Sequence, residues 1–371
     1  MRPIHLARKE VSELYRPAHG GEGWKLQGKE DFSANLNPLG PPKGLDKMLA
    51  EASSRLDHYP DDAATLLRKA IAARYKVLPG NVVIGSGSSE LIRLFPEVFI
   101  ERGDKVLMPH PTFMEYGFAC RFMGAHIVPF DLSPEKGFKP QVDVMLSLLD
   151  KGYKAVYLCN PNNPTGVSPP KADVVHLAEE CEELGVLVFL DETLMELMPD
   201  EGALSCASEV ERHPNLFLIR SLTKSYAIPG FRVGYGLGSK EMISTLDRAR
   251  QTWNVGELEQ AVSTRLIQEQ RGYVEEAGKV LARERDRVYD HLFSLGARTH
   301  RPDAFYFFLD VSPIGLTGKQ FRERMLEQGV VVRDCASFGH PYERYVRFCV
   351  KTPEKDELLL RALERAWKGG K

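Results

Sequence analysis

The chain reads as an α/β protein, with a mostly parallel sheet in a large domain and a smaller α+β domain after it. Between about Lys43 and Gly256, short apolar runs alternate with helical patterns. Those runs are continuously apolar rather than alternating, which marks strands covered on both faces and hence a parallel sheet. Beyond Gly256 the pattern changes to two long helical stretches followed by isolated strand-like runs. At 371 residues the chain exceeds one comfortable core, which also argues for two domains.

The elements are taken in order. Asp61 and Asp62 precede the amphipathic stretch AATLLRKAIAARYKV and serve as helix-start signals. Val82 to Ile84 reads as a strand, followed by GSGSS and the helical ELIRLFPEVFI. KVLM, AHIVPF, AVYLCNP, VLVFLDE, LFLIRSL and RVGYGLG supply further strands, most of them separated by helices. After the long helical stretches come FYFFLDV, a helix near Lys319 to Gln328, then VVVR, YVRFCV and a last helix through Leu358 to Trp367. The expected division is an arm over 1–42, a large domain over 43–255 and a small α+β domain over 256–371.

Composition excludes several functions. A net charge of -2 gives no reason to expect nucleic acid or an anionic membrane as partner. The first residues carry scattered charges and no apolar block of signal-peptide length, and runs such as Val186 to Leu190 are too short to span a bilayer. The six cysteines are dispersed without a CxxC pair, and Cys159 and Cys349 fall in apolar runs, so a reducing cytoplasm is expected. The ten histidines show no close pair with metal-ligand spacing, and no metal is expected.

The chemically informative residues fall at strand ends, where ligands bind in open α/β sheets. In GSGSS the amides of Gly87, Ser88 and Ser89 can cradle a phosphate at a helix N-terminus, although taken alone a tight turn with a serine cap is the stronger reading. The dinucleotide fingerprint fails, because Glu90 stands where its third glycine belongs. AVYLCNPNNPTG ends a strand with Pro161 and Pro164 fixing the backbone, so that Asn160 and Asn163 can turn amides into a cleft. Asp191 stands at the mouth of VLVFLDE, either as a cap for the next helix or as partner to a protonated heterocyclic nitrogen. Ser221, Thr223, Lys224 and Arg232 lie within a dozen residues after another strand, an unusual setting for a surface lysine.

Taken in order, GSGSSE, NPNNPTG, DE after an apolar strand, S-x-T-K and G-x-R-x-G-Y resemble the fold-type I pyridoxal-5′-phosphate (PLP) enzymes of the aspartate-aminotransferase-like fold, over nearly the whole chain. The resemblance implies that Lys224 binds the cofactor as a Schiff base and that Asp191 pairs with the pyridine nitrogen. It implies that Asn163 bonds the ring 3-oxygen and that Phe113, in HPTFMEY, stacks on the ring. Gly87, Ser88, Ser89, Ser221, Thr223 and Arg232 would hold the phosphate. Tyr59, in HYPDD, matches a tyrosine that reaches the neighbouring subunit's cofactor, which implies a homodimer. One position departs from the pattern: many relatives carry tyrosine three residues after the aspartate, where this chain has Leu194.

Arg347, in YVRFCV, matches the arginine that clamps the substrate α-carboxylate, and Arg333, in GVVVRDCASFG, is a second arginine on an apolar strand. An unpaired charge in such a strand calls for an anionic partner, so the expected substrate is a phosphorylated amino acid or amino alcohol. Histidinol-phosphate aminotransferases share this arginine pair. HGG at His19 to Gly21, DFSANLNPLGPP with Asn37, TKSYAIPGFRVGY and VRDCASF are closer to the L-threonine-O-3-phosphate decarboxylases of cobalamin biosynthesis. That resemblance implies formation of (R)-1-amino-2-propanol O-2-phosphate, with His19 and Arg333 near the phosphate and Asn37 and Asn160 as further substrate contacts. A catalytically inactive binding module of the same fold is the alternative of another class.

Overall fold

A computed structural model describes residues 6–18, 20–21 and 23–369. Its first strand, β1 (Glu30–Asp31), belongs to the N-terminal arm. The next seven strands build one sheet: β2 (Val82–Gly85), β3 (Lys105–His110), β4 (His126–Asp131), β5 (Tyr153–Cys159), β6 (Leu187–Asp191), β7 (Leu216–Ser221) and β8 (Gly234–Leu237). Their order is β2-β8-β7-β6-β5-β3-β4, and only β8 runs antiparallel to its neighbours. Each strand expected from the apolar runs is present, and the mostly parallel α/β sheet is the observed architecture. Strands β5, β6 and β7 are almost wholly buried. Continuous Val, Leu, Ile and Phe there give both sheet faces a surface on which helices can pack.

The remaining strands are β9 (Tyr306–Asp310), β10 (Val330–Val331), β11 (Arg333–Asp334) and β12 (Tyr345–Cys349). The run VVVR, read from sequence as one strand, is divided between two sheets. Its first half pairs in parallel with β1, and its second half joins the sheet β11-β12-β9. The division ties the arm to the C-terminal part of the chain and sets Arg333 directly opposite Arg347. The helix Glu257–Glu269 packs on the helices Leu45–Ala52 and Thr65–Tyr75, beside the large sheet.

Helix starts obey local chemistry. Asp61 accepts from the amides of Ala63 and Thr65 at 3.0 and 2.8 Å, capping the helix Thr65–Tyr75 as expected. Asp62 instead accepts from the amide of Trp253 at 2.7 Å and pairs with Arg250.

A buried ionic network underlies β6 and β7. Arg220, with no exposed surface, donates to Glu192 at 2.6 and 3.1 Å and to Glu201 at 2.7 Å. Arg74 pairs with Glu196 at 3.1 Å, and Glu196 also accepts from Tyr75 and Tyr235 at 3.0 and 3.1 Å. Burial pushes the Glu196 carboxyl up, but Arg74 and Arg220 outweigh it and hold the group below its ordinary range. Removing one partner of such a pair strands the other charge in low dielectric. We therefore expect Glu192→Ala to lower stability by about 3–5 kcal/mol in urea unfolding. Glu192→Met combined with Arg220→Met should cost less than Glu192→Ala. A loss below about 1 kcal/mol for the alanine variant would show that the two charges are not coupled.

Candidate active site

The carboxyl ends of β2, β5, β6 and β7 converge on a cleft of about 290 Å³. Ser88, Phe113, Asn163, Asp191, Lys224 and Arg347 line it. A larger hollow of about 580 Å³ lies on the other side of Phe113, under arm residues 13–18. None of Lys224, Asp191 or Arg347 lines that hollow, so the smaller cleft is the candidate active site.

Lys224 stands in a single helical turn, Leu222–Ser225, that begins where β7 ends. Burial, and then the charges of Arg347 and Arg232, push its ammonium down to about 8. Asp191, 3 % exposed, accepts from the Thr193 amide at 2.8 Å and from the Tyr116 hydroxyl at 2.6 Å. Burial raises its carboxyl above the usual range despite both donors, so a cationic partner in the cleft would be strongly favoured.

The turn after β2 is held tightly. Gly87 has φ +71, a conformation that requires glycine, and a Cβ there would displace the Arg232 guanidinium, whose Nη2 would lie 2.3 Å away. Arg232 donates to Ser89 Oγ at 3.2 Å. The Ser86 amide donates to Glu90, which also accepts from Asn254 Nδ2 at 2.8 Å, fixing the loop from below. Gly234 was not singled out in sequence, yet a Cβ on it would meet the Ser88 amide nitrogen at 2.3 Å. Ser221 and Thr223 are buried beside this turn's neighbour strand, and Thr223 Oγ1 donates to Phe231 O at 3.4 Å.

Arg347, from β12, donates to Asn163 Oδ1 at 2.6 Å and to Ser33 O, while its Nε is buried without a partner. Arg333 does not line the cleft. It borders an adjoining hollow and donates to Ala18 O at 2.7 Å and Ser337 Oγ at 2.9 Å. Asn37 does not line the cleft either: it donates to Ser225 O at 2.8 Å, and its own amide donates to Lys224 O at 3.0 Å, so it braces the lysine turn. Asn35 lines the cleft instead, with a buried Oδ1 that has no partner. Asn160 is fully buried outside the cleft, its Nδ2 3.4 Å from Leu204 O. Tyr59 is 72 % exposed and stacks on Trp253 at 4.2 Å between centroids, away from the cleft. Leu194 lines the cleft where tyrosine is common among relatives. His19 lies outside the described residues.

Sequence reasoning passed over Tyr116 and singled out Asn37, whereas the structure brings Asn35 to the cleft. The signal for Tyr116 was available, since it lies three positions after Phe113, and the two rings meet at 5.5 Å in a T-shaped contact. Nothing local separates Asn35 from Asn37, which lie two apart in one irregular segment.

These residues fit a phosphorylated pyridine aldehyde: a glycine-serine turn and arginine for the phosphate, a buried carboxylate for the ring nitrogen, an aromatic face, and an amine of lowered basicity. That combination defines a PLP-dependent enzyme of the aspartate-aminotransferase-like fold. The profile described as aminotransferase class I and II matches residues 27–363, and the chain belongs to that family; its cofactor is pyridoxal 5′-phosphate. A histidinol-phosphate aminotransferase of Moorella thermoacetica is 30 % identical over 90 % of this chain and 84 % of its own length. A provisionally named threonine-phosphate decarboxylase of Caldanaerobacter subterraneus subsp. tengcongensis is 31 % identical over 98 % of this chain and 97 % of its own. Among solved structures, the histidinol-phosphate aminotransferase of Clostridium acetobutylicum matches with a TM-score of 0.83 at 28 % identity, covering 91 % of this chain and 99 % of that one.

When bound, the cofactor withdraws electrons from a bond at the substrate Cα. Asp191 is placed to keep a proton on the ring nitrogen, and Lys224, neutral above its lowered pKa, to carry protons to and from Cα. The neutral amine is also the form that captures an aldehyde. Capture of PLP by the apoenzyme should therefore accelerate as pH rises through about 8 and level off above it. Arg347→Gln removes a nearby positive charge, which raises the Lys224 pKa and moves that midpoint to higher pH. Stopped-flow absorbance of apoenzyme mixed with PLP measures both. An unmoved midpoint would show that Arg347 does not set the lysine's basicity.

Proposed function

We propose that the enzyme decarboxylates L-threonine O-3-phosphate to (R)-1-amino-2-propanol O-2-phosphate and CO₂, the step that supplies the amino-alcohol linker in cobalamin biosynthesis. The observation that carries this reading is the register of β11 on β12. It sets Arg333 opposite Arg347 and so offers two cations, one in the cleft and one in the hollow beside it, to a substrate with two anionic groups. Similarity to the Caldanaerobacter protein through almost the whole chain, arm included, supports the choice.

In this reading Arg347 would bind the α-carboxylate, and the bound cofactor would supply the electron withdrawal that lets the Cα–carboxylate bond break. CO₂ leaves, its bonding electrons remain at Cα, and Lys224 delivers the proton that replaces it. Arg333 faces the phosphate. Gly87, Ser88, Ser89, Ser221, Thr223 and Arg232 hold the cofactor phosphate, Asn163 and Phe113 hold the ring, and Asn35 adds an acceptor to the substrate side.

The competing reading, transamination of histidinol phosphate with 2-oxoglutarate, is favoured by the many relatives bearing that name. The two separate cleanly. With O-phospho-L-threonine we expect CO₂ release without any 2-oxo acid. Inertness toward it, together with glutamate formation from histidinol phosphate and 2-oxoglutarate, would establish the aminotransferase. Arg333→Ala should lose the preference for phosphorylated over plain threonine, at about 2–5 kcal/mol in kcat/KM. Arg347→Ala should damage turnover of every α-amino acid, phosphorylated or plain.

We further propose a cytoplasmic homodimer in which Tyr59 completes the partner's site. The six cysteines are free and buried, which suits a reducing compartment, and Tyr59 is held outward on the Trp253 ring. Among the described residues no helix is long and apolar enough to cross a membrane. Tyr59→Phe should weaken PLP retention on dialysis while leaving the far-ultraviolet dichroism unchanged. An active monomer at assay concentration would exclude the shared site.

A further inference from the structure

Beside the cleft, between the arm and the helix Gly318–Glu327, lies a hollow of about 450 Å³. It shares Gly20, Gly21 and Ser33 with the cleft, so the same stretch of the arm borders both spaces. Lys25, Lys319, Arg322 and Arg333 line it, against one carboxylate, Asp334. Asp334 Oδ1 is engaged by the Ala336 amide at 3.0 Å. Lys319, Arg322 and Arg333 have no carboxylate within ion-pair distance among the described residues, although the surface elsewhere is rich in paired arginines.

The placement of Lys319 and Arg322 also runs against helix stability. They occupy the second and fifth positions of their helix, whose first turn contains no acid. A helix start carries partial positive charge, and cations there are unfavourable. A capping box at that start serves the amides of Thr317 and Gln320 through each other's side chains. The side chains of Lys319, Arg322 and Arg333 add positive potential to the hollow. Burial, Arg347 and Arg322 each depress the Arg333 guanidinium, which shows how closely the like charges crowd.

Lys319, Arg322 and Arg333, three cations without a carboxylate partner among the described residues, make this hollow a positive seat for an anion. We propose that this hollow is the phosphate-ester subsite of the enzyme, with Arg322 and Lys319 as specificity-determining residues that receive the dianion together with Arg333. The inference deepens the proposed function, since the ester would be the substrate's own phosphate. The geometry requires the substrate to lie under Gly20 and Gly21, with its phosphate in the hollow and its amine facing Lys224.

The test uses holoenzyme, in which the cofactor's phosphate already fills its own site. Calorimetry with inorganic phosphate should show one site per chain that weakens as salt is raised. Arg322→Gln and Lys319→Gln should each weaken that site by about tenfold, with unchanged cofactor absorbance and dichroism. Against O-phospho-L-threonine, phosphate should inhibit competitively, and each substitution should lower kcat/KM by about tenfold, chiefly through KM. Phosphate binding indifferent to both substitutions overturns the subsite. Turnover of O-phospho-L-threonine that is indifferent to both overturns it while leaving the decarboxylase reading intact. Non-competitive inhibition overturns the ester assignment by making free phosphate the ligand. If phosphate binds and the substitutions weaken it, but O-phospho-L-threonine is inert, the subsite stands and the decarboxylase reading falls.

Discussion

Arg220 holds the two halves of the active site in register. It is the residue before Ser221 at the end of β7, and its carboxylate partner Glu192 is the residue after Asp191 at the end of β6. The same network reaches Lys224, because Glu196 accepts from the hydroxyl of Ser225, the next residue in the chain. An ion pair with both side chains fully buried contributes little net stability, because desolvation offsets most of the attraction. Its value is geometric. A buried guanidinium that must satisfy Glu192, Glu201 and Ser205 together tolerates few arrangements of the backbone that carries it. Asp191 and Lys224 are positioned by that restriction rather than by contact with each other.

The cleft above this network is poised by opposing charges. Burial alone would leave both Lys224 and Asp191 closer to neutral, and the two arginines nearest the lysine push it further the same way. A dissociated amine can attack an aldehyde, whereas a carboxylate starved of cationic partners favours a protonated ring nitrogen. The free protein thus holds Lys224 toward the neutral state that capturing an aldehyde needs, and leaves Asp191 to gain from a cationic partner. Tyr116 moderates the effect on the acid side by donating to Asp191 without neutralising it.

Much of this was legible in the sequence because strand-end motifs are local. A continuous apolar run announces a buried strand, and the residues just after it in a parallel sheet lie at the ligand edge, which located Gly87, Asn163, Asp191 and Lys224. Residues set by long-range pairing were harder. Arg333 and Arg347 were recognised as a pair, but the division of VVVR between two sheets sends Arg333 into a separate hollow, and no local pattern encodes that division. Asn35 was not singled out, because an irregular segment has no period from which to read side-chain direction. Tyr116 contributes to Asp191 across 75 positions of sequence, a contact that only the fold creates. The proposed division at residues 42 and 255 faces the same difficulty: the helix that begins at Glu257 packs back on helices of the earlier part.

Separate seats for two anions bear directly on which bond reacts. A substrate held at one end can rotate about its Cα, and the same lysine and aspartate would then serve loss of a proton or loss of a carboxylate. Two anchors remove that freedom. Arg347 is itself immobilised by Asn163 and the Ser33 carbonyl, so a carboxylate bound to it has one direction. A phosphate seated beyond the arm would fix the other end, and the angle at Cα would be set by the distance between the seats. In the proposed reading, reaction choice is therefore a property of the arm and the small sheets, which place the arginines. The large sheet supplies the cofactor, the acid and the amine, a set that either reaction can use.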